Sequence, residues 1–221
     1  MKEIYEVGSQ LGKGAFGEVF KVWPKGTNGE QEVFALKVLN KKKLLTDDLA
    51  NTLLRNEFHI LMDAEHPNIV RMFDIFQDES SFYVVQELMS GGDLYQSITS
   101  GREFKESDVS SIIKMAASSL TYLHKMSIVH RDLKSDNLLF ENKDDDDLTV
   151  KLADFGLACY IDPDKGGIKG MAGTPEYMAP EVVMQATEKN RVLRPLYDFK
   201  ADVFSLGCLT HELISGQTPF F

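Results

Sequence analysis

Cysteine is scarce in this sequence. Only Cys159 and Cys208 are present, without the spacing of a disulfide framework, so a reducing, cytoplasmic setting is expected, with the nucleus left open. Long apolar runs are missing as well. None approaches the roughly 18 residues of a membrane span, and Met1-Lys2-Glu3 is not followed by the apolar core of a signal peptide. Positive charge falls short of negative: 24 Lys and Arg stand against 34 Asp and Glu, a formal net charge of -10. That balance argues against nucleic acid or an anionic membrane as the main partner and suits a basic one. No internal repeat is found. What is there is a chain of 221 residues, 43% hydrophobic and 26% charged, enough for a substantial core in one domain or two lobes.

The densest chemistry lies in His130-Arg131-Asp132-Leu133-Lys134-Ser135-Asp136-Asn137. Half of these side chains are charged, yet Ile128 and Val129 precede them and Leu138, Leu139 and Phe140 follow. Short strands on both sides would hold a polar loop rigidly at the mouth of a core. A second short strand, Thr149 to Ala153, leads into Asp154-Phe155-Gly156. Two aspartates and an asparagine on neighbouring loops make a hard-oxygen set of the kind Mg2+ takes.

Toward the amino terminus, Gly12-Lys13-Gly14-Ala15-Phe16-Gly17 contains G-x-G-x-x-G. A dinucleotide fold would put those glycines between a strand and a helix. Here Ile4 to Leu11 and Val19 to Trp23 both read as strand, so the glycines sit in a hairpin whose backbone can lie close over phosphates. An ordinary glycine-rich turn fits the same motif. Val33 to Leu39 is a third strand with Lys37 as its one charge, placed by alternation on a face with Ala35 and Leu39. An ammonium among apolar neighbours needs an anion. Asp47 to Asp63 reads as a helix with Leu53, Leu54, Glu57, Ile60 and Leu61 on one stripe, and a carboxylate there is costly unless paired. Taken alone, Glu57 could equally lie at the helix edge in water.

These residues, in this order, resemble the eukaryotic protein kinase family, serine/threonine type, from about Tyr5 to Phe221. The resemblance implies an α+β, bilobal fold. Residues 1–87 would form a small antiparallel sheet with one main helix, and 88–221 a mainly helical lobe whose last helices are missing. It implies transfer of the γ-phosphate of ATP to Ser or Thr, with Mg2+ as the metal. Asp132 would accept or orient the substrate hydroxyl, Lys134 would meet the transferred phosphate, and Asn137 and Asp154 would hold the metal. Lys37, oriented by Glu57, would take the α- and β-phosphates. Nucleotide contacts are implied at Leu11, Gly12, Lys13, Gly14, Ala15, Phe16, Gly17, Val19, Ala35, Asp93 and Leu139, and at Gln86, Glu87 and Met89 in the hinge beside adenine. Gln86 would guard the pocket behind the adenine, where a polar residue is less usual for the family.

The remainder follows from the same likeness. Phe104 to Met126 reads as a helix with Val109, Ile112, Ile113, Ala116, Leu120 and Leu123 inward. Gly156 to Glu181 resembles the activation segment, with Thr174 against Asp132 and Lys134. Between Gly156 and Thr174 there is no Ser or Thr, and Tyr160 carries the sole hydroxyl. Relatives that need activation phosphorylate a residue there and pair it with the arginine matching Arg131; here that position is Gly or Met. The segment is therefore expected to order unphosphorylated, with Asp162 or Asp164 as candidate anions. Residues 185 to 195 read as a tolerated surface insertion. Lys200 to Ser215 reads as a buried helix with Val203, Leu206, Leu209 and Leu213 inward, and Asp202 resembles the acid that braces the catalytic loop. The four aspartates of Asn142 to Asp147 lack the ligand spacing of a calcium loop and read as a solvated turn.

Asp93, Asp136 and Glu212 match positions where basophilic relatives bind arginine, which implies protein substrates with basic residues before the acceptor. Within the family the chain looks most like the calcium/calmodulin-dependent group, and calcium/calmodulin regulation stays open. Ending at Phe221 leads us to expect a fragment, with Glu181 lacking its arginine partner, apolar surface exposed and stability reduced. Two functions follow: an ATP- and Mg2+-dependent serine/threonine kinase, or a non-catalytic kinase-fold module that binds nucleotide or a partner.

Overall fold

The computed structural model describes residues 1, 3–13, 17–27, 32–44, 48–144, 146–161, 166–190 and 193–220, with the backbone alone for 44 and 48–53. The chain forms two compact units: residues 1–65 with 70–89, and residues 66–69 with 90–221.

The first unit is a five-stranded antiparallel sheet with helices attached. Strands β1 (Tyr5–Lys13), β2 (Gly17–Pro24), β3 (Phe34–Asn40), β4 (Met72–Gln77) and β5 (Ser81–Glu87) lie in the order β1-β2-β3-β5-β4. One face of the sheet carries the aromatic and branched residues that the alternation predicts. Tyr5, Val22, Leu36 and Val85 are buried there, with Phe20, Phe34, Phe76 and Tyr83 packed around them. Helix α1 (Lys41–Leu44) is a single turn, and α2 (Asp48–Asp63) is the main helix. Leu54, Glu57, Ile60 and Leu61 all lie on its buried stripe; the Leu53 side chain lies outside the described residues.

The second unit is mainly helical. Helix α3 (Leu94–Thr99) begins at Asp93, whose Oδ1 accepts a hydrogen bond from the Gln96 N–H at 2.7 Å. Helix α4 (Glu106–Lys125) buries Val109, Ile112, Ala116, Leu120 and Leu123 at three- and four-residue spacing, with Ile113 half-buried. Beyond it come β6 (Ile128–Val129), β7 (Leu138–Phe140), β8 (Val150–Leu152) and β9 (Cys159–Tyr160), with β6 paired to β9 and β7 to β8. Helices α5 (Pro180–Thr187) and α6 (Lys200–Ser215) follow. Gly216, in the left-handed region at φ 75°, ends α6 and donates its N–H to the Glu212 carbonyl at 2.8 Å. Residues 66–69 join this unit because the Asn68 carbonyl accepts from Leu152 N at 2.8 Å and from the Ser119 hydroxyl at 2.7 Å.

Helix α6 departs from its predicted inward set at one position. Leu209 and Leu213 are buried and Leu206 is half-buried, but Val203 is 57% exposed. The buried stripe runs instead through Ala201, Asp202, Ser205, Cys208, Leu209, Glu212 and Leu213, which turns position 203 about 100° away from 202. The insertion expected at 185–195 also begins later. Gln185 is a buried residue of α5, and its amide donates to the Pro195 carbonyl. In the loop before β8, Asn142, Asp144, Asp146 and Asp147 bond to neighbouring residues, Asn142 Nδ2 to Asp147 Oδ2 at 2.6 Å among them, as a self-contained turn does.

Candidate active site

In the first unit the site residues gather on β2, β3 and α2. Lys37 lies opposite Val19 on one side and Val84 on the other. Its Nζ stands 3.7 Å from Glu57 Oε1, and Glu57 is only 7% exposed. A nearly buried carboxylate requires a cation, and Lys37 is the cation the fold supplies. Leu11, Gly12 and Lys13 close β1, with Gly12 opposite Val19; Lys13 forms an exposed ion pair with Glu18 at 3.0 Å. Gly14, Ala15 and Phe16 lie outside the described residues. Gly17 has a packing reason of its own. A Cβ there would sit 1.9 Å from the Val38 carbonyl oxygen, so the close approach of β2 to β3 requires glycine. Ala35 is buried opposite Gln86 on β5. Glu87 accepts from Arg71 N at 3.3 Å, and Met89 follows at the end of this unit.

The second unit assembles the catalytic-loop residues. Strands β7 and β8 pair Leu138 with Leu152, and Ala153 N donates to the Asn137 carbonyl at 2.8 Å. Asn137 and Asp154 therefore leave the same end of one two-stranded ladder. Asp154 is exposed at φ 58°, in the left-handed region, with Oδ1 accepting from Gly156 N at 3.2 Å. The Asn137 amide nitrogen donates to the Asp132 carbonyl at 2.8 Å and to Asp132 Oδ2 at 3.2 Å. With its nitrogen thus committed, Asn137 has only Oδ1 to offer a cation.

Asp132 is the hub. Its Oδ1 accepts from the Thr174 hydroxyl at 2.7 Å, and Lys134 Nζ stands 3.2 Å from Oδ2 and 2.9 Å from the Thr174 oxygen. Carboxylate, ammonium and hydroxyl thus close a triangle, as expected of Thr174. The loop beneath is held by Asp202, which is fully buried and accepts from His130 N and Arg131 N, both at 2.9 Å, and from His124 Nε2 at 2.8 Å. Arg131 sits at φ 67°, a conformation that costs a side-chain-bearing residue about 1–2 kcal/mol. Two amides aimed at one carboxylate offset that cost. The buried His130 ring meets Phe155 edge-on, with centroids 5.1 Å apart.

The three expected specificity acids differ in state. Asp136 is exposed. Asp93 uses both oxygens on Gln96, the second accepting from the side-chain amide at 2.6 Å. Glu212 is 4% exposed. It accepts from the Ser135 hydroxyl at 3.1 Å and the Tyr177 hydroxyl at 2.5 Å. Burial pushes the Glu212 carboxyl above its ordinary range, and burial next to this carboxylate pushes the Tyr177 phenol up as well. Asp136, Glu176 and Glu212 line a depression of about 550 Å3 with Thr174 and Tyr95. Ser135 and Tyr177 were not foreseen, since hydroxyl partners up to 77 residues apart leave no local pattern; nor was Glu176, which enters only as a wall of the depression. Glu181 lies in the first turn of α5. Asp162 and Asp164 lie outside the described residues.

The oxygen donors fit a hard divalent cation: an exposed carboxylate and a carboxamide oxygen leaving one ladder end, with no soft ligand required. A sequence model described as protein kinase domain matches residues 5–221. The chain is 39% identical over 210 residues to calcium-dependent protein kinase 4 of Plasmodium berghei (strain Anka), covering 95% of this chain and 37% of that protein. It is 37% identical over 221 residues to myosin light chain kinase A of Dictyostelium discoideum, covering 100% of this chain and 70% of that protein. It is 36% identical over 218 residues to serine/threonine-protein kinase DCLK2 of Rattus norvegicus, covering 99% of this chain and 26% of that protein.

Proposed function

The chain belongs to the protein kinase family, serine/threonine type, and from that premise we propose that it transfers the γ-phosphate of ATP to Ser and Thr hydroxyls of proteins. The observation that carries this is the Asp132–Lys134–Thr174 triangle beside Asn137. Asp132 orients the acceptor hydroxyl and takes its proton, while Lys134 neutralises charge on the group in transit. Lys37, fixed by Glu57, binds the α- and β-phosphates. Asn137 Oδ1 and the Asp154 carboxylate are the residues that would hold Mg2+, whose chemistry is to neutralise the phosphate oxygens. Positioning and charge carry the rate, since little covalent work falls to the protein.

A basic substrate is part of the proposal. Asp136 and Glu176 border the depression near Thr174, the net charge is -10, and guanidinium–carboxylate pairing would orient an Arg-containing peptide. The chain's likeness to a calcium-dependent kinase favours calcium-linked control of the whole protein, and its two free thiols suit a cytoplasmic setting.

The test is transfer of labelled γ-phosphate by the purified chain to matched peptides bearing Ser, Thr or Tyr, with and without preceding arginines. Label on the basic Ser and Thr peptides is the expected result. Nucleotide binding without transfer to any peptide favours the non-catalytic reading instead.

A further inference from the structure

The activation segment is tied down at a residue that carries no side chain. The Gly170 N–H donates to the Gln185 side-chain oxygen at 3.1 Å, and the Gly170 carbonyl accepts from the Tyr197 hydroxyl at 2.9 Å. Gln185 and Tyr197 are both 3% exposed. The same Tyr197 oxygen accepts from Arg131 Nη1 at 3.4 Å, while Arg131 Nε donates to the Leu157 carbonyl at 2.6 Å. Among the described residues, the guanidinium thus meets a carbonyl and a phenol rather than a formal anion. Two residues beyond Met171, Gly173 packs against the Arg131 backbone so closely that a Cβ would lie 2.5 Å from its carbonyl oxygen. The next residue, Thr174, holds Asp132 and Lys134.

We propose that the Tyr197 hydroxyl is a positioning residue that joins Arg131 to Gly170 and so orders the activation segment without a phosphate. Arginine only donates and a carbonyl only accepts, so a group placed between them must do both; a neutral phenol does. Burial raises the Tyr197 phenol above its ordinary range and keeps it neutral. No Ser or Thr stands between Gly156 and Thr174, and the hydroxyl that bonds Arg131 is that of Tyr197, beyond the segment. The Ile168–Tyr197 backbone pair, with N···O distances of 2.8 and 3.2 Å, does not need the phenol. Tyr197→Phe therefore deletes the relay and leaves that pairing in place.

The inference rests on the phosphotransfer reading for its kinetic readout only. In the phosphatase-treated full chain, Tyr197→Phe is expected to lower kcat/KM for a basic peptide about tenfold, but less than about twofold in an Arg131→Met background, because a coupled pair is not additive. Tryptic cleavage after Lys169 should quicken about fivefold or more in Tyr197→Phe, with the melting temperature within a few degrees of wild type. Equal losses in both backgrounds, no loss at all, or unchanged cleavage after Lys169 each overturn the proposal. Should Tyr197→Phe not fold, Arg131→Met alone must speed the same cleavage, and an unchanged rate overturns the relay. If the chain transfers no phosphate in any form, the cleavage assay still reads the latch, so the two failures are separable.

Discussion

Asp202→Ala tests how the catalytic loop is held. The substitution removes a fully buried carboxylate and leaves His130 N and Arg131 N, each 2.9 Å from its oxygens, without that acceptor, while the partly exposed His124 ring, 2.8 Å from Asp202, can turn to water instead. Hydrogen bonds to a charged group contribute about 1.5–3 kcal/mol each, so the two amides lose roughly 3–6 kcal/mol. The desolvation cost of the carboxylate disappears with it, and the loop can relax Arg131 out of φ 67°, which recovers about 1–2 kcal/mol. The net loss is about 3 kcal/mol, equivalent to a fall of roughly 6–12 °C in melting temperature for a chain of this size. Denaturant titration with matched thermal scans measures it. Peptide phosphorylation should fall in parallel, since Asp132 follows Arg131 directly. Asp202→Asn keeps one acceptor oxygen and should lie between wild type and Ala. A stability change under about 1 kcal/mol with full activity would refute the reasoning.

Three further outcomes follow from particular contacts. Gly17→Ala drives a methyl toward the Val38 carbonyl, and overpacking there should cost about 1–3 kcal/mol in denaturant unfolding; a neutral result would mean β2 and β3 separate readily. Glu57→Gln deprives Lys37 of its carboxylate and should raise KM for ATP and lower kcat, together about 100-fold in kcat/KM, read in steady-state kinetics with a saturating peptide. For Glu212, burial raises the carboxyl above its ordinary value of 4.5. Between the ordinary value and the raised one, the folded chain keeps a proton the unfolded chain has released, so stability falls as pH rises from 4.5. Urea midpoints of wild type should drop more across that window than those of Glu212→Gln, and parallel curves would contradict the assignment.

The periodic elements were legible because their signal is local. The Leu54, Glu57, Ile60 and Leu61 stripe identifies α2, but it left Glu57 open between water and a partner; the family resemblance supplied Lys37, and the two stand 3.7 Å apart. The apolar repeat from Val109 to Leu123 likewise marks α4. Asn137 and Asp154 could be paired from the two short strands that carry them, since β7 and β8 form one ladder. Val203 shows where periodicity misleads. An apolar residue beside a buried stripe reads as core, but Asp202 and Ser205 take the inward positions because the loop and the Tyr177 carbonyl need their hydrogen bonds. Polar groups in the interior obey partners rather than hydropathy. Tyr197, Gln185, Ser135 and Tyr177 were illegible for the same reason. Each is a common residue whose role exists only once distant segments meet, Arg131 and Tyr197 being 66 residues apart.

If Asp132 and the residues around it move a phosphoryl group, removing the Asp132 charge must slow transfer without loosening nucleotide. Single-turnover transfer from ATP to a basic Ser peptide, compared between wild type and Asp132→Asn with nucleotide affinity measured alongside, tests it most directly. Transfer should slow by at least about 100-fold while nucleotide affinity stays within about threefold. Equal transfer rates in the two proteins would contradict it.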